Sequence, residues 1–128
     1  MGAWGEGPLE SDGALDWVGN NVTDPLTLRI KALCDAFDSE YRRTGHIELY
    51  AEDIRAAAEC VTRLNQLHPV IDGFNVYVEL ISRLGVVQED EAWLSTWTSN
   101  EFRENVRTSI DHQIRALRRI MESFQVHV

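Results

Sequence analysis

Four histidines, two cysteines and two aspartates one helical turn apart are the residues of this chain equipped for chemistry, and their spacing argues against most of it. His46, His68, His112 and His127 are scattered, and no two stand at the three- or four-residue interval that sets paired imidazoles on one helix face for zinc. His112 directly follows Asp111, but adjacent helical residues point about 100° apart. Cys34 and Cys60 form no Cys-x-x-Cys pair, and each sits among apolar helical positions as a buried, reduced thiol would. Asp35 and Asp38 have Lys31 and Arg42 at helical spacing, so they read as surface ion pairs rather than a metal or acid/base site. The glycine-rich opening follows no strand and has no lysine, so it is no phosphate loop, and no nucleophile elbow is present. The expectation is a binding module with no catalytic residues, metal or cofactor, an enzyme with scattered catalytic residues being the remote alternative.

Carboxylates and tryptophans carry what remains. The 128 residues have a formal charge of −9, which disfavours nucleic acid, since phosphate binding needs clustered cations, and suits a basic protein partner. Acidity also simply keeps a protein in solution. The densest acidic sites are Glu48/Glu52/Asp53 and Glu89/Asp90/Glu91. The second leads into Trp93 and Trp97, which share a helix face. The expected partner surface is therefore Glu89, Asp90, Glu91, Trp93 and Trp97, with carboxylates steering the encounter and a tryptophan edge anchoring it. The plainer account is that the acids complement a helix N-terminus and the tryptophans are core.

The elements that would position these groups are helical. Apolar content of 44% and charged content of 26% belong to a globular chain, and its length fits one domain over residues 1–128. Ser11 or Asp12 caps a short helix ending near Gly19 or Asn20, and Asp24-Pro25 starts another, with Thr23 or Asp24 as cap. Leu26, Ile30, Leu33, Phe37 and Tyr41 give that second helix a core face, and Gly45 stops it. A helix over 51–67 follows the connection at 46–50, with Pro69 closing it and Ala56-Ala57-Ala58 permitting a close helix approach. Residues 73–84 are apolar nearly all round. Their β-branched part also fits a strand, but Phe74, Tyr77, Leu80 and Leu84 keep helical spacing and Gly85 offers a stop. Ser99 or Asn100 caps the last helix, whose seam is Phe102, Val106, Ile110, Ile114, Leu117, Met121 and Phe124. Beside it Arg103, Arg107, Arg115, Arg118 and Arg119 form a basic stripe interrupted by Asp111, read as a solvated or internally paired face. The fold class is all-α: one compact bundle of five or six helices. No apolar run approaches the roughly 20 residues that span a bilayer, and no secretory leader opens the chain, so a cytoplasmic protein is expected.

The opening stretch carries a resemblance. Gly2-x-Trp4-Gly5-x-Gly7, a turn, then Asp12-x-Ala14-Leu15-Asp16-Trp17 resembles the N-terminal signature of the bacterial family termed domain of unknown function 4259. Glu6, Leu9 and Ser11 depart from the Thr, aromatic and Asn typical there. Physically, three glycines and Pro8 enforce an irregular arm over residues 1–10. Trp4 is expected to bury its ring as a fold-closing plug, with Gly5, Gly7, Asp12 and Trp17 in structural roles and the arm leading into a docked helix. The resemblance implies no established activity; some members look like immunity proteins encoded beside toxins. The leading expectation is an immunity-type inhibitor that neutralises a basic toxin domain by direct binding. A non-catalytic regulator or adaptor is the alternative.

Overall fold

The computed structural model describes residues 5–66 and 75–125, and they are helical, with no strand among them. The helices are α1 (Asp12–Val18), α2 (Asp24–Thr44), α3 (Ala51–Leu64), α4 (Val76–Gln88), α5 (Glu91–Leu94) and α6 (Asn100–Gln125), and a π-helical turn over Gly19–Thr23 joins α1 to α2. The all-α expectation holds, and residues 76–88 are helix rather than strand.

Ser11 begins α1 as its N-cap, its hydroxyl accepting the Ala14 N–H at 3.1 Å. The expected break at Gly19 or Asn20 does not occur. Val18, Gly19, Thr23 and Asp24 all keep right-handed helical dihedrals, and the Asp24 N–H donates to the Gly19 carbonyl five residues back. Thr23 is therefore no cap: its hydroxyl donates to Gly19 O at 3.3 Å, Thr27 Oγ1 donates to Thr23 O, and the Asn21 amide donates to Trp17 O. The physical reason lies in Pro25, which has no N–H and whose ring crowds the carbonyl four residues before it. A widened π turn makes room for the ring, and hydroxyl and amide side chains serve nearby carbonyls.

α2 ends as expected at Gly45, whose φ of +75° is the left-handed conformation glycine adopts at least cost and whose N–H returns to Tyr41 O. Ile30, Cys34 and Phe37 of α2 are buried, as are Ile47 in the following turn and Ala51, Ile54, Ala58 and Val61 of α3. Of the alanine run Ala58 is buried and Ala57 half-buried, while Ala56 is exposed. α3 stops at Leu64, and the expected Leu67 and Pro69 end lies outside the described residues.

α4 is the central helix, packed against α2, α3 and α6. Val76, Tyr77, Leu80, Leu84 and Val87 are buried on it, so the nearly encircling apolar pattern has its explanation in neighbours on several sides. It runs three residues past Gly85 to Gln88, correcting the expected stop. Glycine costs a helix interior about 1 kcal/mol relative to alanine, and burial of Leu84 and Val87 on either side outweighs that. α6 supplies Ile110, Ile114 and Leu117 to the same core. The seam starts later than its sequence pattern, because Phe102 in the first turn is 61% exposed.

Opposing the core, Arg83 is a clamp. Its guanidinium, only 12% exposed, donates to Asp38 Oδ2 of α2 at 2.6 Å and to Glu79 Oε2 one turn back at 2.5 Å. Asp38 is thus committed to a helix-to-helix pair rather than to the expected surface pairing around Lys31, Asp35 and Arg42. Burial works against the Arg83 charge, but the hydrogen bonds it donates to Asp38 and Glu79 outweigh it and leave the pKa above its ordinary value.

A Cβ placed on Gly85 would meet nothing within 4 Å. Gly85→Ala should therefore stabilise the protein by about 0.5–1 kcal/mol, from helix propensity and a less flexible unfolded chain, read as a rise in Tm. Arg83→Ala should cost about 2 kcal/mol, the scale of lost hydrogen bonds to charged groups, in the same thermal unfolding measurement.

Candidate partner-binding surface

The run Glu89-Asp90-Glu91 is divided three ways by the backbone. Asp90 is the N-cap of α5, its Oδ1 accepting the Trp93 N–H at 2.7 Å. Glu91 reaches Arg107 of α6 at 2.7 Å, and Arg107 also holds Glu104 at 3.3 Å. Only Glu89 is exposed and in no ion pair among the described residues. The tryptophans turn inward: Trp93 is 3% exposed and Trp97 half-buried, their rings edge to face with centroids 4.9 Å apart. The structure thus places Trp93 in the core and spends Asp90 and Glu91 on local pairing. Next to them Gln88 donates its amide to Arg107 O and Asp111 Oδ1, tying the end of α4 to α6. Asp111, which seemed to interrupt the basic stripe, is the acceptor that makes this tie.

Glu89 instead belongs to a groove of about 410 Å³ lined by Tyr41, Gly45, Ser82, Gly85, Val86, Glu89 and Asp90. A second groove, of about 440 Å³, is lined by Glu40, Thr44, His46, Glu48 and Leu49. The two flank the last turn of α2, since Tyr41 and Gly45 line one and Glu40 and Thr44 the other. Glu48 and Glu89, one from each acidic site singled out in the sequence, therefore line grooves on either side of this end of α2. Tyr41 is 46% exposed and Leu49 66% exposed there, so the patch offers apolar area as well as charge. Glu48, like Glu89, is in no ion pair among the described residues, whereas Glu40 holds Arg43 at 2.7 Å. The C-termini of α2 and α4 both end at the first groove, and the partial negative charge of a helix C-terminus adds to that of the carboxylates. Such a surface favours cationic and amphipathic side chains. Tyr41 was read as core and Glu48 as the weaker acidic site, and nothing in one-dimensional spacing joins residues 41, 48 and 89.

The other residues with chemical potential are placed apart. Arg55 bridges α3 to α6 through neutral partners, donating to Ser109 Oγ at 2.8 Å and Gln113 Oε1 at 3.3 Å, while the Gln113 amide returns to Arg55 O; burial lowers its pKa. Among the described residues no group of three or more His, Cys, Asp or Glu is arranged to hold a metal. No described helix is long and apolar enough to cross a membrane. Cys34 is fully buried and Cys60 exposed, correcting the expectation that both thiols are buried. The N-terminal plug is described only in part. Trp17 is 62% exposed rather than covered, whereas Val18 of α1 is buried, and α1 packs chiefly on the π turn. Trp4, the centre of the expected plug, lies outside the described residues, and a Cβ on Gly5 would meet only the movable Glu10 side chain.

Burial pushes the Cys34 thiol up to about 11, with the nearby Arg83 charge opposing the shift. A raised thiol pKa favours the folded state fully below the unfolded value near 9, and that contribution is lost as pH rises toward 11. Stability should fall across that window by up to about 2–3 kcal/mol more in the parent than in Cys34→Ala. Chemical denaturation of both proteins between those pH values measures the difference.

Residues 2–124 match the family described as Domain of unknown function (DUF4259), and the chain belongs to it. No curated protein and no solved structure matches the chain.

Proposed function

We propose that this member of the DUF4259 family is a protein-binding module that holds a basic protein partner against the end of the bundle formed by the last turn of α2. The observation that carries the reading is a pair of grooves flanking the last turn of α2, one lined by Tyr41 and Glu89 and the other by Glu48 and exposed Leu49, with neither glutamate in an ion pair among the described residues. Carboxylates of this kind accelerate encounter with a cationic surface, and an exposed tyrosine and leucine supply the desolvated contacts that slow escape. The formal charge of −9 extends the same preference over the whole molecule.

Within this reading the partner is a toxin domain, and the protein an immunity-type inhibitor acting in the cytoplasm by occlusion. The family resemblance supports that identification, and the acidic surface fits the basic character of such a target. Glu89 stays in the proposed site with Tyr41, Leu49 and Glu48, while Trp93 belongs to the core and Trp97 packs against it. Asp90 lines the groove while its carboxylate caps α5, and Glu91 acts indirectly by holding Arg107 of α6.

The test starts with the reading frame beside this gene. If it encodes a large toxin C-terminal domain, that domain should bind the purified protein and lose its toxicity on co-expression. Glu48→Lys with Glu89→Lys should slow association about tenfold, and added salt should slow association of the parent. Tyr41→Ala should speed dissociation about tenfold, since that side chain is half-exposed and its loss leaves the core intact. Association rates indifferent to both charge reversal and salt would remove the surface from consideration, and a neighbouring domain that does not bind would remove the toxin.

A further inference from the structure

A second pair of surfaces is left unmatched within one molecule, and the two match each other. Residues 5–28 hold the carboxylates Glu6, Glu10, Asp12, Asp16 and Asp24 and no cation. None of the five is in an ion pair among the described residues. They lie in and around α1, which packs chiefly on the π turn and presents Trp17 to solvent. At the opposite end of the chain, residues 112–121 of α6 hold Arg115, Arg118 and Arg119 and no carboxylate. All three arginines are exposed and in no ion pair among the described residues, although Asp111 and Glu122 stand one turn away, whereas Arg103 and Arg107 in the first half of the same helix are engaged by Asn100, Glu91 and Glu104. The unneutralised half of the arginine stripe is thus the C-terminal half.

We infer that α1 of one copy docks on the C-terminal half of α6 of a second copy, giving a homodimer joined by an acidic helix bearing Trp17 and a basic helix face bearing Arg115, Arg118 and Arg119. The spacing fits. Asp12 and Asp16 stand one turn apart, as do Arg115 and Arg119, so two helices laid side by side pair both at once. Guanidinium groups stack on indole faces, which gives exposed Trp17 a partner that a purely apolar surface would not provide. With a twofold axis each copy donates one α1 and receives one, so every dimer closes with two equivalent contacts and leaves neither surface open to a third copy. This contact is separate from the end of the bundle around Tyr41, so its fate is independent of the partner proposed above.

Charge exchange tests it. In sedimentation equilibrium the parent should be dimeric at about 20 mM salt and shift toward monomer at about 1 M, where exposed charges are screened. Asp12→Lys with Asp16→Lys should be monomeric, because a basic α1 then faces a basic α6. Arg115→Glu with Arg118→Glu and Arg119→Glu should be monomeric for the opposite reason. Mixed in equal amounts, the two variants should form a heterodimer, since basic α1 meets acidic α6 at one contact and the natural pair meets at the other. Trp17→Ala should weaken the parent dimer about tenfold or more. A parent that stays monomeric at low salt overturns the inference. So does a reversed variant that dimerises alone, or a mixture that does not; recovery in the mixture also shows that neither variant failed merely by misfolding.

Discussion

A helix that is apolar on most of its circumference has to be enclosed, and the enclosure of α4 is the constraint on which the rest of the structure depends. Val76, Tyr77, Leu80, Leu84 and Val87 are buried against α2, α3 and α6, so those three helices are arranged by what α4 must hide. Its polar positions sit where the enclosure opens. Arg83 closes one such gap by bridging Asp38 and its own Glu79, and Gln88 closes another by reaching the backbone and Asp111 of α6. Burying an arginine costs several kcal/mol unless it is well paired, and here two carboxylates meet it. The clamp gives α2 and α4 a specific register that apolar packing alone leaves loose.

This enclosure also decides what reaches the surface. With α5 turned inward by the Trp93 and Trp97 pair, the carboxylates before it are consumed in capping and in holding Arg107. The free charge is displaced to Glu89, at the C-terminus of α4, and so beside the C-terminus of α2. The groove it lines stands on the ends of two core helices, and its shape depends on the small residues Gly45, Ser82 and Gly85 that leave it unfilled.

Helical periodicity was legible wherever a buried stripe was continuous. Ile30, Cys34 and Phe37 on α2, and Ile110, Ile114 and Leu117 on α6, lie inside as their spacing requires, and Gly45 ends α2 in the conformation glycine favours. The misread positions share a cause, in that local punctuation was overridden by partners not adjacent in sequence. Gly85 reads as a stop but lies in a helix held by burial on both sides. Gly19, Asn20 and Pro25 read as a break, yet a five-residue turn with side chains returning to carbonyls carries the helix through. Phe102 keeps the seam's spacing beyond the point where any neighbour remains to cover it. Of the site, the two acidic sites were legible, but their placement on either side of the end of α2 joins residues some forty positions apart and follows only from the packing.

The π turn has a geometric consequence. It places one extra residue in an otherwise continuous helical path, and one residue is about 100° of rotation. The direction in which Trp17 points therefore depends on the length of the segment Gly19–Thr23. Adding or removing a single residue there would swing the whole acidic face of α1 about a quarter-turn around its axis while leaving α2, its buried face and the Arg83 clamp untouched. The segment works as an indexing joint between the core and the N-terminal helix.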